Sequence, residues 1–167
     1  MLNYGGYAQA YFKYDDTPAA NADLTEEERG AIDGVTADDL EGYAMSIEGE
    51  EEGLSYVGSS LTLKSETTIK HYFTVEDGHD ISEYTFSIEG KGTEARRSGS
   101  MYYIEIPNIA SGNLDRMYEA EAGDMTIRYS ALSYAKRMMD TSEDESLIRL
   151  LKALYLYNQE ANTYFGQ

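Results

Sequence analysis

The spacing of apolar residues changes twice along this chain, and that change constrains its fold more than any other feature. Between Tyr43 and Tyr129 apolar side chains recur at every second position. The segments are Tyr43, Met45 and Ile47; Leu61 and Leu63; Ile69, His71, Phe73 and Val75; Tyr84, Phe86 and Ile88; Tyr102, Ile104 and Ile106; Tyr118, Ala120 and Ala122; and Met125, Ile127 and Tyr129. A period of two is that of a half-buried strand, because successive side chains point to opposite faces of a sheet. On both flanks the period returns to that of a helix.

Turn chemistry separates the alternating segments: Glu48-Gly49, Asp77-Gly78, Glu89-Gly90, Ser98-Gly99 and Gly123-Asp124. Seven short strands punctuated in this way predict a mainly β fold with added helices. The expectation is a seven-strand immunoglobulin-like antiparallel β-sandwich over residues 41–130, braced by N- and C-terminal helices. Ile109 and Leu114 ahead of Tyr118 resemble the tyrosine corner of such sandwiches.

The flanks supply the braces. Tyr4, Ala8, Tyr11 and Phe12 lie on one stripe and predict a helix over 2–14, weakened by Gly5 and Gly6. Residues 15–40 read as a linker with short helical turns, marked by capping-box spacings at Thr25–Glu28 and Thr36–Asp39. C-terminal helices fill 131–167. Leu132, Ala135 and Met138 or Met139 give a short stripe, and Leu147, Leu150, Leu151, Leu154, Tyr157, Asn158, Ala161, Tyr164 and Phe165 a long one. Ser142 with Glu145 is the expected cap between them, and Gly166 the expected stop. The two ends also resemble each other: Tyr4, Ala8, Tyr11 and Phe12 align with Tyr157, Ala161, Tyr164 and Phe165. Small residues between aromatics let helices approach closely, so the ends are expected to pack together, beside one edge of the sandwich. The whole chain, 1–167, is thereby expected to form a single unit.

Charge narrows the functions. With 31 acidic and 13 basic residues, net −18, the chain repels phosphate, which argues against nucleic acid and anionic membranes as partners. No run reaches the roughly 20 apolar residues of a membrane span. The absence of cysteine removes disulfides, thiolate metal sites and a cysteine nucleophile. The N-terminus lacks the pattern of a signal peptide, so the chain reads as a piece of a longer protein whose export signal lies elsewhere.

Catalytic constellations are sparse. There is no Gly-x-Ser-x-Gly elbow, and the only histidines are His71 and His79. His71 alternates with core residues, which suits an interior histidine better than a base. Asp77, His79 and Asp80 offer carboxylates and an imidazole for calcium, or form a plain polar hairpin tip. Otherwise no cofactor is indicated. Arg96-Arg97, a basic pair in an acidic chain, either grips a partner's carboxylate or neutralises neighbouring acids. Surface recognition remains. By the alternation Lys64, Lys70, Tyr72, Tyr103 and Arg128 point away from the core, where tyrosines can stack on sugar rings or anchor a protein. Burial of these side chains beneath the terminal helices is the competing reading.

Four stretches together resemble a known kind of domain: residues 2–12 (Leu-Asn-Tyr-Gly-Gly-Tyr-Ala-Gln-Ala-Tyr-Phe), 56–68 (Tyr-Val-Gly-Ser-Ser-Leu-Thr-Leu-Lys-Ser-Glu-Thr-Thr), 103–109 (Tyr-Ile-Glu-Ile-Pro-Asn-Ile) and 151–159 (Leu-Lys-Ala-Leu-Tyr-Leu-Tyr-Asn-Gln). The likeness is to a domain of sandwich plus terminal helices that recurs in modular surface or secreted proteins of gut Firmicutes, beside leucine-rich repeats or dockerin-type modules. It spans nearly the whole chain. It implies an extracellular, non-catalytic accessory module, secreted or attached to the cell surface. The expected partners are a host or dietary glycan or a surface protein, together with adjacent modules of the same chain. A structural spacer without its own ligand is the alternative, and a glycoside hydrolase-type enzyme a more distant one.

Overall fold

The computed structural model of the chain describes residues 4–5, 8, 26–63 and 66–165. These form two compact units. A β unit holds Met45–Ala110 and Arg116–Tyr134; a helical unit holds the described residues up to Ala44, Ser111–Asp115, and those from Ala135 onward. Most of the expected helix over 2–14, the Thr25 end of the first capping box, Lys64 and the Gly166 stop lie outside the described residues.

The β unit is mainly strand, in two antiparallel sheets. Nine strands run in chain order: β1 (Ser46–Glu48), β2 (Leu54–Leu63), β3 (Thr67–Val75), β4 (Phe86–Ile88), β5 (Lys91–Thr93), β6 (Arg96–Ser98), β7 (Met101–Ile106), β8 (Tyr118–Ala122) and β9 (Met125–Tyr129). One sheet has the order β1-β9-β8-β4-β5, the other β2-β3-β7-β6. Every segment with alternating apolar residues contains a strand. The two additional ones, β5 and β6, are three residues long, mostly exposed and without apolar alternation; they join the sheets as hairpin partners, β5 following β4 and β6 preceding β7. Tyr43 differs from the reading: it ends a 3-10 helix, Ala37–Tyr43, and β1 starts three residues later.

Register explains the turns. Ile88 pairs with Lys91, which leaves Glu89 and Gly90 as a two-residue loop, both with positive φ (52° and 71°). Two successive left-handed residues match the twist of a hairpin, and glycine adopts that conformation without a Cβ clash. The Glu89 carboxylate holds the loop by accepting from the Glu119 backbone N–H and from Arg116, at 2.9 and 2.6 Å.

The core of the β unit lies on the inward parity of each strand. Ile69, His71 and Phe73 of β3, Ile104 and Ile106 of β7, Ala120 and Ala122 of β8 and Ile127 and Tyr129 of β9 are all buried. Ring contacts link β3 to the other sheet: Phe73 to Phe86 at 5.6 Å, and His71 edge-on to Tyr129 at 5.5 Å. Each fully buried large apolar side chain stabilises the unit by about 1.5–3 kcal/mol.

In the helical unit α1 (Glu26–Asp33) is followed by the 3-10 helix, whose N-terminus is closed by the Asp39 carboxylate accepting from the Thr36 N–H at 2.7 Å and from its hydroxyl at 2.9 Å. Ile32, Val35 and Leu40 are buried. Helix α2 (Ala131–Thr141) starts in the β unit and continues in the helical one; α3 (Glu145–Phe165) is the long C-terminal helix. The cap of α3 differs from the expected Ser142–Glu145 pair. Asp144 is the residue whose carboxylate accepts from the N–H groups of Ser146 and Leu147, at 3.0 and 3.2 Å, while Ser142 accepts from Asp144 instead. An aspartate directly ahead of the first turn reaches the free N–H groups that a serine two residues earlier does not. Leu147, Leu150, Leu151, Leu154, Asn158 and Ala161 form the buried stripe of α3. Among the described residues no helix is long and apolar enough to cross a membrane.

The two ends of the chain meet at equivalent positions. The Tyr4 ring stacks on Tyr157 with centroids 5.3 Å apart and planes within 3°. Burial, with the neighbouring Tyr157 phenol second, pushes the Tyr4 hydroxyl up to about 12. Nearby, Asn158 donates to the Ser111 carbonyl and Asn162 to Asp115, fastening the 111–115 loop to α3.

Candidate binding face on the four-stranded sheet

The outward parity of the β2-β3-β7-β6 sheet is set by the inward one. Since Ile69, His71 and Phe73 are buried, Lys70 and Tyr72 emerge on the other face, and Tyr103 and Glu105 do the same on β7. Register then brings these residues together. Tyr72 lies directly opposite Tyr103, Lys70 opposite Glu105, Ser60 of β2 opposite Lys70, and Arg96 of β6 opposite Tyr103. Side chains directly opposite one another across an antiparallel pair are close enough to touch.

They do touch. The rings of Tyr72 and Tyr103 stand 5.8 Å apart at 43°. The Lys70 ammonium sits 4.3 Å above the centre of the Tyr103 ring, a cation–π contact worth about 0.5–1 kcal/mol at a surface. Glu105 takes both cations: Arg96 at 2.6 Å and Lys70 at 3.7 Å. The Ser60 hydroxyl reaches the Tyr72 hydroxyl at 3.4 Å. Both tyrosines are half-buried, so their orientation is fixed by neighbours while part of each ring stays accessible. A surface of this kind can offer aromatic faces to a flat apolar patch and hydroxyl, ammonium and guanidinium groups to the polar rim around it. Comparison of the chain with protein families, curated proteins and solved structures finds no match.

Of the side chains read from the sequence as outward-pointing, Lys70, Tyr72 and Tyr103 therefore converge, and Lys64 lies outside the described residues. Arg128 does not join them. It stands on β9 in the five-stranded sheet, tied to Glu119 at 3.1 Å and Glu48 at 3.3 Å, where it bridges three strands. Alternation gave its parity correctly but cannot say which sheet a strand enters. Arg96 and Glu105 complete the cluster. Glu105 was readable, since it shares the parity of Tyr103; Arg96 was read only as half of a basic pair, because β6 carries no apolar pattern, and here it neutralises a neighbouring acid, Glu105.

The Asp77, His79 and Asp80 group is not drawn into a coordination sphere. Asp80 caps the 3-10 helix Ile81–Glu83 by accepting from the Ser82 N–H at 2.9 Å and its hydroxyl at 2.6 Å, and those bonds hold its carboxyl below the usual range. His79 faces Glu83 through Nδ1 at 3.1 Å, with the Tyr84 ring beside it. Among the described residues no three acidic or imidazole groups converge so as to hold a metal ion.

His71 lies on the opposite side of β3 from the cluster, fully buried. Its Nδ1 is 2.6 Å from the Ser59 hydroxyl, which is 2.6 Å from the Tyr56 hydroxyl. Nε2 has no hydrogen-bond partner. Serine and histidine in contact would invite a hydrolytic reading, but Ser59 is itself buried and shares its hydroxyl with Tyr56. The chain of polar groups braces the core.

Proposed function

We propose that this chain is a non-catalytic extracellular accessory module of a larger bacterial surface protein, that its two sheets form an immunoglobulin-like sandwich, and that it binds a glycan. The binding face is the outer surface of the β2-β3-β7-β6 sheet. The observation that carries this reading is the cross-strand pair Tyr72 and Tyr103, held at 5.8 Å with Lys70 over one ring. Sugar rings present C–H faces to aromatics and hydroxyls to polar neighbours, and this face supplies both partners on rigid strands rather than on loops. The sandwich arrangement is supported by the ring contacts from Phe73 and His71 to the five-stranded sheet. Secretion accords with the strong negative charge and with the likeness to modules of surface proteins.

The test is an array of gut polysaccharides and mucin glycans probed with the wild-type chain, Tyr72→Ala and Tyr103→Ala. Saturable binding that falls about fivefold to tenfold in either variant is expected, since contacts of this type are worth on the order of 1 kcal/mol each. Wild-type binding that survives both substitutions refutes the assigned face. No binding to any glycan leaves a structural spacer as the better description.

A further inference from the structure

The cluster around Tyr103 has a charge imbalance that bears on which glycan it takes. Lys70 and Arg96 both pair with Glu105, at 3.7 and 2.6 Å. Among the described residues these two cations share one carboxylate, so the cluster itself carries one more positive than negative charge, on a chain that is otherwise strongly acidic. The Arg96 side chain is 65% exposed and Lys70 29%, so both keep donors facing solvent. Glu105 engages one end of the Arg96 guanidinium, Nη1, and a guanidinium carries five N–H donors suited to more than one acceptor.

Resting on the glycan-binding reading above, we infer that this face selects saccharides bearing a carboxylate, such as uronic or sialic acid residues. In this arrangement the sugar ring lies on Tyr72 and Tyr103 and its carboxylate takes the Arg96 and Lys70 donors that Glu105 leaves free. The strong net negative charge of the chain disfavours anions elsewhere, so the local pair of cations is what an acidic saccharide has to meet. The same repulsion makes the site weak at a distance and selective at contact.

The experiment uses matched pairs on the full chain: sialyllactose against lactose, and oligogalacturonate against a neutral galactan oligosaccharide of equal length, each by isothermal titration. The acidic member of at least one pair is expected to bind more tightly, because its carboxylate takes charge-assisted hydrogen bonds that the neutral member lacks. Arg96→Gln weakens it about tenfold, the scale of a hydrogen bond to a charged group. Glu105→Gln, which frees both cations, strengthens it; a gain in affinity cannot come from misfolding. Equal binding of acidic and neutral members overturns the selectivity and leaves glycan binding standing. Binding of neither member of any pair overturns both.

Discussion

Lowering the pH should weaken this fold through a single side chain in its core. His71 is fully buried, touches Ser59 through Nδ1 and has no partner for Nε2. The rings that face it belong to Tyr56 and Tyr129. Among the described residues no carboxylate pairs with it to stabilise an imidazolium, and burial pushes its pKa from 6.5 down to about 4. Above pH 6.5 the ring is neutral in both the folded and the unfolded chain, and the group leaves stability unchanged. Between pH 6.5 and about 4 the unfolded chain takes up a proton that the folded one refuses. Stability therefore falls as pH falls, by about 1.4 kcal/mol per unit, reaching a total loss of about 3 kcal/mol and levelling off below the folded pKa. Urea unfolding of wild type and His71→Phe at pH 7.0 and 4.5 isolates this contribution, because the many carboxylates titrate alike in both. Whatever the absolute cost of the substitution, wild type should lose about 2–3 kcal/mol more than the variant between the two pH values. Equal losses, or an imidazole resonance of His71 that titrates near 6.5 in the folded protein, would refute the reasoning.

Two further substitutions probe backbone and cap. Gly49 adopts φ +80°, and a Cβ there would collide with the Asp124 carbonyl oxygen, so Gly49→Ala should cost about 2 kcal/mol or more in chemical unfolding. Asp144→Ala removes the acceptor for the first N–H groups of α3 and should cost about 1 kcal/mol in the same assay, whereas Ser142→Ala, on the residue first read as the cap, should cost less.

The sequence made the inner face of the β unit readable because burial and alternation are the same fact seen twice. Ile69, His71 and Phe73 had to share a side, and Lys70 and Tyr72 the other. Pairing was not readable. The meeting of Tyr72 with Tyr103, and of both with Arg96 and Glu105, depends on which strands become neighbours and in what register, and that is decided by long-range packing rather than local pattern. β6 illustrates the limit: Arg96-Arg97-Ser98 has no apolar parity, so only its hairpin with β7 makes it a strand. For the same reason Arg128 shared a parity class with Lys70 and Tyr72 but belongs to a different sheet. The similarity of the two chain ends has one counterpart among the described residues, the stacking of Tyr4 on Tyr157.

The most direct test of the account is a backbone-amide NMR titration of the full chain with the tightest-binding saccharide from the array. Shifts are predicted to concentrate on Ser60, Lys70, Tyr72, Arg96, Tyr103 and Glu105, with Arg128 and its neighbours on β1 and β8 unmoved. Saturable shifts centred on the five-stranded sheet, with the β3–β7 face silent, would contradict it.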